Sequence, residues 1–305
     1  MNASTASFTP PLGAEPKDWI ALLKPRVCSL VVFTGAIGLV IAPGHINPFL
    51  ALVAICCIAL GAGAAGAINM WYDADIDALM RRTAKRPLPA GRIEPGGVLG
   101  LGLVLSVFSV LLLAMATNLV AAGALAFSIF YYAVIYTMWL KRRTPQNIVI
   151  GGGAGAFPPI IGWASVTGHI GLLPVLLFAI VFFWTPPHFW SLSLYAATDY
   201  EKAGVPMLPV VKGAKHTRLN VLAYSLLLLP LSISPWLLGL TGRIYGLTAL
   251  VVSAVFAVLC FGVFADRQDE AGVSLTGDKP ARRAFKFSLL YLVLLFTAVA
   301  VDRLV

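Results

Sequence analysis

The chain has 305 residues, of which 59% are hydrophobic and only 11% charged, with a mean hydropathy of +0.88 and a formal net charge of +9. That composition excludes an ordinary soluble globular domain. It also argues against nucleic-acid binding, because the basic residues are dispersed among short loops between apolar runs instead of forming one patch.

Residues 1–17 are rich in Ala, Ser, Thr and Pro and lack the basic start and short apolar core of a cleaved signal. They read as a flexible cytoplasmic tail, with residues 18–305 forming a single intramembrane domain. Nine apolar stretches follow, at about 24–43, 48–70, 97–116, 119–140, 147–166, 171–196, 219–240, 244–264 and 284–302. Each is near the 20 residues that a helix needs to cross a hydrocarbon layer of about 30 Å. Twenty of the 22 Lys and Arg residues fall on one side of these spans, leaving only Arg243 and Arg303 on the other. By the positive-inside rule the N-terminus and the long loops are cytoplasmic and the C-terminus is outside, with the basic face drawn to anionic lipid of the bilayer.

The second span ends in Asn69, Asp73 and Asp77, at i, i+4 and i+8, which one helical face carries together. Carboxylates one turn apart repel unless a cation lies between them, and oxygen ligands at this spacing suit Mg²⁺. Arg81, Arg82, Lys85, Arg86 and Arg92 follow at once. Metal ligands beside several cations are what a diphosphate requires. The competing reading is a polar helix end solvated at a membrane surface. Against it, Asp73, Asp75, Asp77, Asp199 and Glu201 all gather at cytoplasmic span ends, although charge-based sorting is nearly indifferent to acids.

Span four ends at Lys141 and Arg142, able to meet phosphate oxygens as a point charge and a forked donor, or to serve as a basic stop at the inner leaflet. Span five opens with Gly151-Gly152-Gly153-Ala154-Gly155-Ala156, read first as a close helix-packing surface. Span six holds Trp184-Thr185-Pro186-Pro187-His188, where tandem prolines kink the helix and His188 is a lone imidazole able to meet haem iron or a neighbouring helix. A loose repeat pairs Asp77 and Arg86-Pro87-Leu88-Pro89 with Asp199 and Pro206-Met207-Leu208-Pro209. It suggests an all-α fold of two four-helix units plus a ninth helix, with two acidic loops facing one central cavity. The four cysteines lie within spans without metal or haem-attachment spacing.

Asn69-x₃-Asp73-x₃-Asp77 resembles the first acidic motif of UbiA-type intramembrane prenyltransferases. Residues 75–93, 141–163 and 184–213 are similar, more narrowly, to the branch that farnesylates protohaem. The resemblance implies that farnesyl diphosphate is ionised and its C1 joined to a vinyl group of protohaem IX. Water supplies a hydroxyl, and the products are haem O and diphosphate. It further implies Mg²⁺ held by Asp73 and Asp77 with Asn69 assisting, and Asp199 on a second ion. Arg81, Arg82, Lys85, Arg86, Lys141 and Arg142 become diphosphate clamps, and His188 a haem contact. Tyr195 and Ala203 flank Asp199 where the wider family often repeats an acid, which weakens the second metal position. The implied location is a bacterial inner membrane, and haem-modifying or oxidase-assembly proteins stay open as partners. The rival readings are a prenyltransferase for another aromatic acceptor, a secondary transporter, and a haem or isoprenoid carrier.

Overall fold

The structure, a computed structural model, describes residues 13–270 and 272–305. Most of the predicted tail, residues 1–12, lies outside the described residues. The first helix, α1, already begins at Pro16 (Pro16–Leu22) and leads into α2 (Pro25–Val40). The remaining elements in order are α3 (Pro48–Tyr72), α4 (Ala74–Leu79), α5 (Pro95–Ala116), α6 (Leu119–Phe130), a π-helix (Tyr131–Leu140), α7 (Asn147–Ala156), α8 (Pro158–Thr167), α9 (Leu172–Tyr195), α10 (Ala197–Lys202), α11 (Leu208–Leu237), α12 (Arg243–Phe264) and α13 (Lys279–Leu304). Among the described residues there is no β-strand, only an isolated bridge between Gln268 and Ser274.

Among the described residues, eight helical spans are long and apolar enough to cross a membrane, and α1 with α2 passes the same test as a pair bent by 51°. The protein is an integral membrane protein of the expected all-α class. The first span departs from the straight helix expected over 24–43. Pro25 disfavours right-handed helical geometry at the residue before it, and Lys24 sits in the left-handed region at φ +50°, at the junction where the chain turns. The seventh span begins earlier than expected, at Leu208, with a non-helical Gly213 near its start.

Two features follow from proline placement. Pro158 cannot bond the carbonyl of Ala154, and the Ser128 hydroxyl donates to that carbonyl at 3.1 Å instead. By contrast α9 runs from Leu172 to Tyr195 as one helix with Pro186 and Pro187 buried inside it.

Small residues set the helix spacing. A Cβ on Gly162 of α8 would fall 2.0 Å from the Gly35 carbonyl oxygen of α2, so these two backbones touch. The glycine run of span five serves the same purpose, with Gly151 against Tyr136, Gly152 against Thr185 and Gly153 against Tyr131. Outward faces are apolar, as Leu103, Val104, Val107, Phe108 and Leu111 of α5 show at helical spacing. The short helix α4 follows the second span of the first half, and α10 follows the second span of the second half. This matches the expected pseudo-repeat. Ile76 of α4 and Met80 just after it share one apolar cluster with Tyr200, Val205, Met207 and Ile148, so the two acidic loops are packed together at one end of the bundle.

Candidate active site

Asp73 and Asp77 are buried, and the single helix expected to carry them with Asn69 is interrupted at Asp73, between α3 and α4. Asp73 is 0% exposed and Asp77 1%, and Asn69 is buried with them. Asp73 closes α3 and precedes α4, whose first turn holds Asp75 and Asp77. The Asn69 amide is oriented by its neighbours: its nitrogen donates to Asp73 Oδ2 at 2.7 Å and to Thr137 Oγ1 at 3.1 Å, and its oxygen accepts from Lys24 Nζ at 2.6 Å.

Cations from three separate segments complete the layer. Lys141 pairs with Asp73 Oδ2. Arg142 lies 3.5 Å from Asp73 Oδ1 and forks onto Asp75 with two bonds of 2.7 Å. That guanidinium holds the Asp75 carboxyl below its ordinary range. Arg86 pairs with Asp77, and the Thr83 hydroxyl braces the turn on the Asp77 carbonyl at 2.8 Å. The π-helix turn fits this arrangement: its wider turn carries Thr137 to Asn69 and delivers Lys141, whose amide bonds Tyr136 five residues back, to Asp73.

Asp199 of α10 is a quarter exposed and stands 4.0 Å from Arg81. Arg81, Arg82 and Lys85 are exposed on the loop after α4. His188 lies apart from the carboxylates in the hydrogen-bond pattern. Its Nδ1 meets Ser288 Oγ at 2.6 Å, and its ring is stacked between Trp184 at 4.3 Å and Phe285 at 4.6 Å.

Among the described residues, no three His, Cys, Asp or Glu side chains gather closely enough to hold a metal. The acids are instead engaged by lysine and arginine. One acceptor stays open: Asp73 Oδ1 is buried with no hydrogen-bond partner, the Arg142 contact lacking bonding geometry. That free Asp73 oxygen is a hard donor of the kind Mg²⁺ takes, while the Asn69 oxygen and Asp77 could join it once Lys24 and Arg86 turn away.

Lys24, Thr137 and Asn147 were not singled out from sequence. Lys24 read only as topology charge, although its place at a Lys-Pro step marks the bend. Asn147 is fully buried, donates to the Thr144 carbonyl at 2.6 Å and leaves its own oxygen unpartnered.

A sequence model described as the UbiA prenyltransferase family matches residues 31–290. The chain belongs to the UbiA prenyltransferase family. This UbiA prenyltransferase is 66% identical over 292 residues to the Protoheme IX farnesyltransferase of Granulibacter bethesdensis, covering 96% of this chain and 92% of that protein. It is also 66% identical over 294 residues to the protein of that name from Acidiphilium cryptum, covering 96% and 93%. Solved structures show the same fold at low identity. A digeranylgeranylglyceryl phosphate synthase structure superposes with a TM-score of 0.76 at 18% identity, over 94% of this chain and 98% of that one. A UbiA homolog from Archaeoglobus fulgidus bound to GPP and Mg²⁺ gives 0.66 at 16% identity, over 92% and 99%.

Proposed function

We propose that this membrane prenyltransferase transfers the farnesyl group of farnesyl diphosphate to a vinyl group of protohaem IX, giving haem O and diphosphate. The C1–oxygen bond of the farnesyl donor breaks, and C1 bonds to the terminal vinyl carbon. Water adds to the inner vinyl carbon and releases a proton. The observation that carries this reading is the buried layer of Asp73 and Asp77 facing Lys24, Lys141, Arg142 and Arg86, in a bundle whose near full-length relatives are named for farnesylating protohaem.

The layer is built for a metal–diphosphate unit. Asp73, Asp77 and Asn69 would hold Mg²⁺, with Asp199 offered from the second loop. Bound there, the ion would supply Lewis-acid neutralisation of the departing diphosphate. Lys141, Arg142 and Arg86, now committed to carboxylates, would turn to phosphate oxygens, joined by Arg81, Arg82 and Lys85 at the exposed mouth. The apolar spans below keep water from the allylic cation. His188 is the proposed haem contact through Nε2, because Ser288 already holds Nδ1. We assign the carboxylate end to the cytoplasmic side of a bacterial inner membrane and the C-terminus to the outside, supported by the charge asymmetry and the bacterial relatives.

The test is a membrane assay with farnesyl diphosphate, protohaem and Mg²⁺, with haem products read by mass. The expected product is the hydroxyethylfarnesyl adduct, abolished by EDTA and by Asp73→Asn. No adduct from folded protein that binds both substrates would overturn the assignment of the acceptor.

A further inference from the structure

Asp18 belongs to α1, the short helix ahead of the 51° bend, and its carboxylate is buried. Its Oδ1 accepts from Arg92 Nε at 2.9 Å, and its Oδ2 accepts from the Glu15 amide at 3.3 Å. A buried carboxylate is costly unless it is paired. Asp18 and Arg92, 74 residues apart, therefore fix each other across α1 and the basic loop. Apolar packing supports the same contact, because Trp19 and Leu22 of α1 share a cluster with Leu88 and Ile93 of that loop.

Arg92 passes this constraint to one residue. Its Nη2 donates to the Lys85 carbonyl at 3.2 Å, and its backbone amide donates to the Pro87 carbonyl at 2.9 Å. These two bonds bracket Arg86, whose backbone freedom Pro87 already restricts. The Arg86 amide donates to the Thr83 carbonyl at 2.9 Å, and the Arg86 carbonyl accepts from the Ala90 amide at 3.0 Å, which closes the turn. From this turn the Arg86 guanidinium reaches Asp77. Lys24, just beyond the other end of α1, reaches Asn69. The short helix is thus tied to the carboxylate layer at both ends.

We propose that Asp18 is a positioning residue for diphosphate binding. It orients Arg92, Arg92 holds the peptide units on both sides of Arg86, and Arg86 is thereby aimed to turn from Asp77 to a phosphate oxygen. The proposal rests on the diphosphate reading of the site given above. Without Asp18, Arg86 would still bring its charge to the layer but would lose the fixed alignment that a forked donor needs.

The test is titration calorimetry of the full chain in detergent with pyrophosphate and Mg²⁺, run as a double-mutant cycle. Asp18→Asn keeps the side-chain shape without the charge, and should weaken pyrophosphate about tenfold, the lower end of what losing a supporting partner costs. In an Arg86→Met background the same change should weaken it no further, because the two residues act as one unit. Arg92→Lys loses the fork that joins Asp18 to the Lys85 carbonyl and should repeat both results, so the outcome does not depend on how one variant folds. A merely structural pair would give equal fold-losses in the two backgrounds. That result, or unchanged affinity in Asp18→Asn and Arg92→Lys, would overturn the role of Asp18 alone. Failure of wild type to bind pyrophosphate would overturn the diphosphate reading and this proposal together.

Discussion

Replacing Lys141 by Met tests whether Asp73 is a buried charge sustained by its partner. Asp73 is fully buried, and its Oδ2 is shared between Lys141 and the Asn69 amide. Its Oδ1 has only Arg142, 3.5 Å away and badly aligned for a hydrogen bond. Methionine preserves much of the lysine stem while removing the ammonium. Breaking a buried pair from one side costs about 3–5 kcal/mol, because the other charge is left uncompensated. Arg142 can rotate toward the vacated oxygen, so the lower end, about 3 kcal/mol, is expected here. Adding Asp73→Asn to Lys141→Met removes the stranded charge and should recover about 2 kcal/mol, so the coupling in the cycle should be at least about that large if Asp73→Asn alone destabilises. The assay is reversible unfolding in mixed detergent micelles for wild type, both single variants and the double variant, with prenyl transfer measured in parallel. Stability should return in the double variant while activity stays lost, since both groups belong to the proposed diphosphate site. Additive effects, agreeing within about 0.5 kcal/mol, would refute the coupled pair and with it the placement of Lys141 on Asp73.

Two further outcomes rest on other parts of the structure. Gly162→Ala drives a methyl into the Gly35 carbonyl at 2.0 Å, whereas Gly155→Ala meets nothing within 4 Å. The first should cost at least about 1–3 kcal/mol by forcing α2 from α8, and the second should leave the unfolding midpoint near wild type. Asp75 has its pKa lowered from 3.8 chiefly by its hydrogen bond to Arg142, so its stabilising contribution is complete above that value and is lost as pH falls through the lower folded-state value. Asp75→Asn should therefore reduce the acid-induced loss of stability in that window. The effect should be small, because the Asp75 side chain is 65% exposed.

How much of the site was legible depended on how far apart its members lie in the chain. Asn69, Asp73 and Asp77 were legible because one-turn spacing is a local rule, and their common burial agrees with it. Arg86 follows nine residues after Asp77 and was legible as part of the same basic stretch. Lys141 and Arg142 were ambiguous, since a basic end to a span has the same sequence whether it faces headgroups or a carboxylate. The fold resolves this by bringing Lys141 across 68 residues onto Asp73. Lys24 is 45 residues from Asn69, and its Lys-Pro step marks a bend without naming that distant partner.

By itself, the sequence determined the membrane class, a bundle of eight to nine apolar spans, the one-turn spacing of Asn69, Asp73 and Asp77 and the family. These follow from hydrophobicity, helical periodicity and motif spacing, which act over a few turns of chain. Only the tertiary structure decided that α1 and α2 bend at Lys24, that span five packs through its first glycines, and that α4 and α10 share an apolar cluster. It also decided which cation meets which acid. The reason is physical: a buried charge or orphaned polar group is satisfied by whatever the packing of distant helices brings within 3 Å or so, and helix packing is settled by side-chain volume across segments rather than along one.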